Sequence, residues 1–200
     1  MNRKDFLIKA GLFGVGISLV PSFVFGKDSL TNQKINLINR LVLYAKEQMG
    51  LSLKKDFFSK WSENEDYHYY LYASEANKVS CPKGVNKYLF FGTDKINAEL
   101  KQTEFVNKGL HTLIYKREGS HDFKITNSLL GYSNESIALL IFHEAAHQHF
   151  LKKAKLSLEI EEASCEVVGF YGARSYAKSF KEVDENKLNE LIGVLEKSYS

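Results

Sequence analysis

The chain has 200 residues, of which 44% are hydrophobic and 26% are charged. This is enough apolar material for one sizeable core, and it excludes a collagen-like or disordered chain. The 27 basic and 24 acidic residues leave a formal net charge of +3 with histidine neutral. So small an excess does not favour nucleic acid as a partner. Length and composition therefore predict one folded domain.

The first 26 residues have the composition of an export signal. The first nine carry three basic side chains, the stretch 10–25 is uncharged and mostly apolar, and Gly26 precedes a charged residue. This order is typical of a secretory signal. The start also resembles a twin-arginine signal in which Lys4 replaces the second arginine. We therefore predict export to the periplasm or the extracellular space, with the folded domain over residues 27–200.

The same apolar stretch is also compatible with a membrane anchor that stays attached. A spanning helix needs about 20 apolar residues, and the stretch 10–25 alone is shorter. Counted as residues 6–25 it reaches that length, because Lys9 can extend its charge towards the surface. We favour cleavage and keep membrane association through residues 6–25 as the alternative.

The elements predicted next along the chain begin with a helix. Apolar residues recur at helical spacing over Thr31–Met49, and Gly50 then provides a typical helix end. The segment Asp66–Ala76 carries four tyrosines, and its periodicity does not decide between a helix and a strand. A short strand is predicted over Lys87–Gly92.

The middle of the chain alternates a helix with strands. The polar residues before Lys95 cap a predicted helix over Lys95–Asn107, which Gly109 ends. Four apolar residues of this helix are expected to face inward: Ile96, Leu100, Phe105 and Val106. Strands are predicted over Thr112–Lys116 and Phe123–Leu130.

Three longer helices complete the chain. The first opens after Ser133 or Asn134, either of which is a good N-cap. The second is predicted over Leu156–Phe180 and the third over Glu185–Tyr199. The predicted fold class is therefore α+β, mainly helical with a small sheet.

The first of these three helices contains the pattern His-Glu-x-x-His, at His143-Glu144-Ala145-Ala146-His147. Residues four apart share a helix face, so both imidazoles can bind one metal ion. Imidazole nitrogen suits zinc, which keeps one position open at catalytic sites. Glu144 is then placed to act as general base on the attacking water, and afterwards as acid, without being a ligand. The competing interpretation is a helix with two histidines on a polar face.

The next helix offers carboxylates for a third ligand. Glu162 and Glu166 are four residues apart and share one helical face. We predict that Glu162 binds the metal and that Glu166 accepts the free N–H of a ligand histidine, His143 foremost. Glu161 is the competing ligand, one residue away but about 100° round the helix. The alternative is that these acids form a solvated helix face.

Other residues with relevant chemistry are left open by the sequence. His149 follows His147 by two residues, so it is expected on another face of the helix. The two cysteines are Cys81 and Cys165. They either pair in an oxidising compartment or remain separate buried thiols, and we favour separate thiols. Five residues are candidates for stabilising an oxyanion: His68, His111, His121, Tyr132 and Tyr171.

The His-Glu-x-x-His pattern and the segment Glu161-Glu162-Ala163-Ser164-Cys165-Glu166 together resemble a known family. The segment is similar to the Asn-Glu-Ala-x-x-Asp stretch of thermolysin-like gluzincins, with Glu161 in place of Asn. Within these enzymes the chain resembles the bacterial family of predicted aminopeptidases. The likeness runs from about Met49 to Gly169, through the stretches 49–52, 72–75, 88–92, 125–132 and 140–148.

The resemblance implies a zincin-like fold in which Glu162 is the glutamate ligand and Glu166 the acidic residue behind a ligand. It also implies an edge strand above the His-Glu-x-x-His helix, for which Phe123–Leu130 is the natural segment and to which an extended substrate could add. We therefore predict an exported zinc metallopeptidase acting on a peptide or protein substrate. Two alternatives are an amidase acting on cell-wall peptides and an exported metal-binding or interaction protein without turnover.

Overall fold

The computed structural model describes residues 27–75, 90–118, 124–153 and 156–199. Within these residues the chain forms six helices and five strands. The helices are α1 (Lys27–Glu47), α2 (Lys95–Asn107), α3 (Asn127–Leu130), α4 (Asn134–Lys153), α5 (Leu158–Ser179) and α6 (Glu185–Tyr199). The strands are β1 (Lys60–Trp61), β2 (His68–Glu75), β3 (Phe90–Gly92), β4 (Leu110–Arg117) and β5 (Lys124–Ile125).

The α+β class, mainly helical with a small sheet, is confirmed. All five long helices lie close to their predicted positions, and α2 and α6 have the predicted bounds. None of the described helices combines the length and apolarity needed to cross a membrane. The predicted export signal over residues 1–26 lies outside the described residues, and so does Cys81.

The tyrosine-rich segment is a strand. β2 is the centre of a three-stranded antiparallel sheet of order β3-β2-β4, and β1 and β5 form a separate two-stranded sheet. β2 and β4 pair along their whole lengths, from His68 opposite Arg117 to Glu75 opposite Leu110. Four consecutive residues, 68–71, are buried. Because a strand buried on both faces loses its alternating pattern, periodicity left this segment undecided.

The prediction of the inward face of α2 is wrong. Ile96, Leu100 and Val106 are more than half exposed, and Ala98 is the residue that is fully buried. Phe105 comes about two turns after Ala98, on the same side of the helix, and is half-buried. The helix thus packs through a small residue, which lets its backbone approach its neighbours closely, while three larger apolar residues stay outside.

The predicted strand over Phe123–Leu130 is also wrong in its second half. β5 covers only Lys124–Ile125, and Asn127–Leu130 forms a helical turn. The side chain of Asn127 donates to the Glu63 carbonyl at 2.6 Å and accepts from Trp61 Nε1 at 3.0 Å. Local side-chain bonds of this kind compete with a strand ladder. The edge strand implied by the resemblance is therefore not formed over Asn127–Leu130.

The chain divides into two compact units. One contains α1, α4, α5 and α6, and the other contains β2, β3, β4, α2 and most of α3. The prediction of one domain over residues 27–200 stays a prediction. The helical unit is held by apolar side chains that its four helices bury almost completely: Leu37, Ile38, Leu41, Ile137, Ile141, Phe142, Ala173, Tyr176, Leu188 and Ile192.

Two glycines bring α5 close to α4. A Cβ added to Gly169 would lie 3.3 Å from the Leu139 carbonyl oxygen and 3.4 Å from His143 Cβ. A Cβ added to Gly172 would lie 2.8 Å from Cγ of Phe142. A methyl group would therefore be tight at Gly169 and would force its neighbours to shift at Gly172. The backbone of α5 is therefore seated directly against the turn of α4 that carries His143.

Candidate metal centre

His143 and His147 project from the same face of α4. The helix begins at Asn134, after Ser133, whose hydroxyl accepts the Ser136 backbone N–H at 3.1 Å and so acts as the N-cap. Nε2 of His143 and Nε2 of His147 lie 3.1 Å apart. The two rings thus converge on one point with their Nε2 atoms.

Glu162 on α5 completes a triangle of donor atoms. Its Oε2 lies 3.5 Å from Nε2 of His143 and 3.5 Å from Nε2 of His147. Among the described residues, these three are the group of His, Cys, Asp and Glu side chains whose donor atoms can hold one metal ion. The structure therefore brings together the three side chains that the sequence predicted as ligands.

The size of this triangle fits zinc. Bonds of about 2.0–2.2 Å at tetrahedral angles hold neighbouring donor atoms about 3.3–3.6 Å apart. The two edges to Glu162 fall in this range, whereas the 3.1 Å edge between the imidazoles is shorter and matches the upper limit for an octahedral ion. An octahedral ion with the same bond lengths would need edges of about 2.8–3.1 Å. Two imidazoles and one carboxylate also form one of the usual ligand sets of catalytic zinc.

Carboxylates also lie behind both imidazoles. Oε2 of Glu166 lies 3.3 Å from Nδ1 of His143, which is the contact that the sequence predicted. Oε1 of Glu161 lies 2.8 Å from Nδ1 of His147. In both rings Nδ1 therefore faces a carboxylate of α5 while Nε2 faces the centre of the cluster. Glu161, considered in the sequence as a rival ligand, contacts the far side of the ring instead.

The charges in the cluster shift the pKa values of the metal-free protein. Burial lowers the pKa of His143, but hydrogen bonds to Glu162 and Glu166 outweigh it and raise that pKa above the usual value. Burial likewise lowers the pKa of His147, but contacts with Cys165 and Glu162 outweigh burial and raise that pKa above its usual value. Burial raises the pKa of Glu162, but its hydrogen bonds to both imidazoles lower it well below normal. A cation bound here would therefore displace protons from the imidazoles.

Glu144 lies between the two histidines in sequence and is buried. Only 3% of its surface is exposed. Its negative charge acts on both rings, since it raises the pKa of His143 and of His147. A carboxylate held in a mostly dry site beside a cation position is suited to proton transfer.

No protein-family model matches this chain, and neither curated proteins nor solved structures give a match. The geometry of the cluster is thus the main guide to function.

The other residues singled out in the sequence have different positions, and some of them are not described. Nδ1 of His149 accepts the Ser52 backbone N–H at 3.0 Å, so this ring points away from the cluster, as its spacing predicted. Cys165 is a buried free thiol. The candidates for an oxyanion-stabilising residue stay open, and one of them, His121, lies outside the described residues.

The contact between Glu161 and His147 was missed by sequence reasoning. The run Glu161-Glu162 supplied the signal, because two neighbouring acids on a helix cannot both point at one centre. What the sequence lacked was the rotation of α5 about its axis, which decides which acid faces Nε2 atoms and which faces an Nδ1 atom.

Proposed function

We propose that this protein is an exported zinc-dependent metallopeptidase. The observation that carries the proposal is the triangle of donor atoms from His143, His147 and Glu162, with edges of 3.1, 3.5 and 3.5 Å. The His-Glu-x-x-His pattern adds a buried carboxylate, Glu144, beside the two imidazole ligands. The family likeness to gluzincin-type aminopeptidases, with a zincin-like fold, agrees with this reading.

A zinc ion held by these residues would supply a Lewis acid that polarises the scissile carbonyl and lowers the pKa of water. His143, His147 and Glu162 would hold and orient the ion. Glu144 accepts the proton of the attacking water and passes it to the leaving nitrogen, so that its carboxylate ends the cycle unchanged. Glu166, whose Oε2 lies 3.3 Å from Nδ1 of His143, would hold a proton on that nitrogen and so keep Nε2 of the ring free for the metal.

Access to the cluster suits hydrolysis better than a purely structural role. A structural zinc site is closed by four protein ligands, whereas catalytic sites have three and leave a position open. Within the part of the chain that the structure describes, three donors meet here, and the Glu162 side chain is 29% exposed. A fourth position left to solvent is what a water molecule and a substrate carbonyl would require.

The proposal is tested by following cleavage directly. Purified protein is incubated with a denatured protein and, separately, with cell-wall peptides, and new termini are identified by mass spectrometry. We expect new amino termini in the protein digest, their loss after treatment with a zinc chelator, and their return on adding zinc. Cleavage of cell-wall peptides alone would instead favour the amidase. Zinc binding without cleavage of either would contradict the proposal and favour a metal-binding protein without turnover.

A further inference from the structure

Glu161 contacts the zinc-ligand candidate His147 on the side of the ring that faces away from the cluster. Its Oε1 lies 2.8 Å from Nδ1, a normal length for a charge-assisted hydrogen bond. The corresponding contact between Glu166 and His143 is longer, at 3.3 Å. Of the two carboxylates behind the imidazoles, Glu161 therefore makes the tighter contact.

We propose that Glu161 is a positioning residue for the metal, which holds His147 in the tautomer and orientation needed for binding through Nε2. The inference rests on the proposed zinc site, because it assigns a role within that site. An imidazole has one donor and one acceptor nitrogen when neutral. A proton held on Nδ1 by Glu161 leaves the lone pair on Nε2, which faces Nε2 of His143 and Oε2 of Glu162.

The surroundings of the ring support this assignment. The side chains of His147 and Glu161 are only 12% and 17% exposed, so solvent competes weakly for the contact. If the acids of α5 formed only a solvated helix face, the alternative considered from the sequence, the Glu161 carboxylate would lie in water. Cys165, one turn further along α5, also contacts His147, but its thiol is a much weaker acceptor than a carboxylate.

Glu161 and its neighbour Glu162 contact different nitrogen atoms of the imidazoles. Glu162 faces the Nε2 atoms of both rings, whereas Glu161 faces one Nδ1. Exchanging the roles would require rotating α5 by about 100°. Such a rotation would move a residue with a side chain into the place of Gly169, where even a Cβ would lie only 3.3 Å from the Leu139 carbonyl oxygen and 3.4 Å from His143 Cβ.

The test is zinc affinity, measured by competition with a chromophoric chelator on the purified protein. Removing carboxylates behind a metal-binding histidine typically weakens binding by about 10–100-fold. We expect that loss for Glu161→Ala and a smaller one for Glu161→Gln, whose amide oxygen still accepts the Nδ1 proton. Ser164→Ala removes a hydroxyl that donates to the Ile160 carbonyl of the same helix, and this variant is expected to bind zinc like the unchanged chain. Circular dichroism checks that each variant is folded.

A second readout separates positioning from general stability. In the zinc-loaded protein, long-range ¹H–¹⁵N correlation spectra should assign Nδ1–H and bound Nε2 to His147, with the Nδ1 proton protected from exchange. In Glu161→Ala that protection should disappear while the His143 signals stay. Equal zinc affinity and an equally protected proton in Glu161→Ala would overturn the inference. Absence of zinc binding by the unchanged chain would instead overturn the proposed function.

Discussion

Replacing Glu144 with Gln is expected to abolish hydrolysis while leaving zinc bound. Glutamine has nearly the shape of glutamate but cannot accept a proton, and the binding atoms belong to His143, His147 and Glu162. Proton transfer by a positioned side chain contributes about 10²–10⁴-fold to rate. We therefore expect kcat to fall by at least about a hundredfold, with zinc content unchanged. The measurement is cleavage of the best substrate found in the digest, together with zinc per chain by atomic emission.

A matched control exists on the same helix. Glu135 is also buried on α4, at 8% exposure, but its carboxylate accepts the Asp184 backbone N–H and lies outside the donor triangle. Glu135→Gln should keep turnover per folded molecule close to that of the unchanged chain. If Glu144→Gln and Glu135→Gln turn over substrate equally, the role given to Glu144 is wrong even if zinc is present.

Replacing Glu162 with Ala is expected to remove most zinc binding. The change deletes one corner of the triangle and leaves two imidazoles, which is too few ligands for a catalytic zinc site. Losing a contact behind a ligand already costs about 10–100-fold, so losing the ligand itself should weaken affinity by at least about a hundredfold. Glu162→Gln serves as a second variant that keeps the side-chain volume.

Thermal unfolding gives a direct readout of that loss. At a free zinc concentration of 100 Kd, binding stabilises the folded state by about 2.7 kcal/mol, which for a chain of this size raises Tm by about 5–10 °C. Zinc should produce this rise in the unchanged chain and in Glu190→Ala, which alters an exposed residue of α6. It should produce almost none in Glu162→Ala. The zinc-induced change is compared because removing Glu162 also alters the metal-free imidazoles.

The triangle of donors was predictable from the sequence because its parts are local. His143 and His147 share a face whenever their segment is helical, and the same holds for Glu162 and Glu166. The sequence could also name His143 as the partner of Glu166. The identity of the acid behind His147 depends instead on how α5 is rotated, which is set only once both helices are packed with Gly169 where a side chain would be tight.

The errors in the fold have equally specific causes. Ile96 and Leu100 were expected inside because large apolar residues dominate a pattern of hydrophobicity, yet α2 packs through Ala98. The helical turn at Asn127 arises from side-chain bonds to residues more than sixty positions away, which no local pattern contains. Local geometry was therefore predictable, whereas the buried face of α2 and the helical turn at Asn127 depend on tertiary contacts and were not.

X-ray absorption at the zinc edge tests the central claim most directly. The purified protein loaded with one equivalent of zinc should show only nitrogen and oxygen neighbours at about 2.0–2.2 Å, including the outer-shell scattering of two imidazoles, and Glu162→Ala should lose this spectrum. A sulfur neighbour at about 2.3 Å would show a different ligand set, for which Cys165 beside His147 is the nearest described thiol. Such a neighbour, or an identical spectrum in the two proteins, would contradict a zinc centre built from His143, His147 and Glu162.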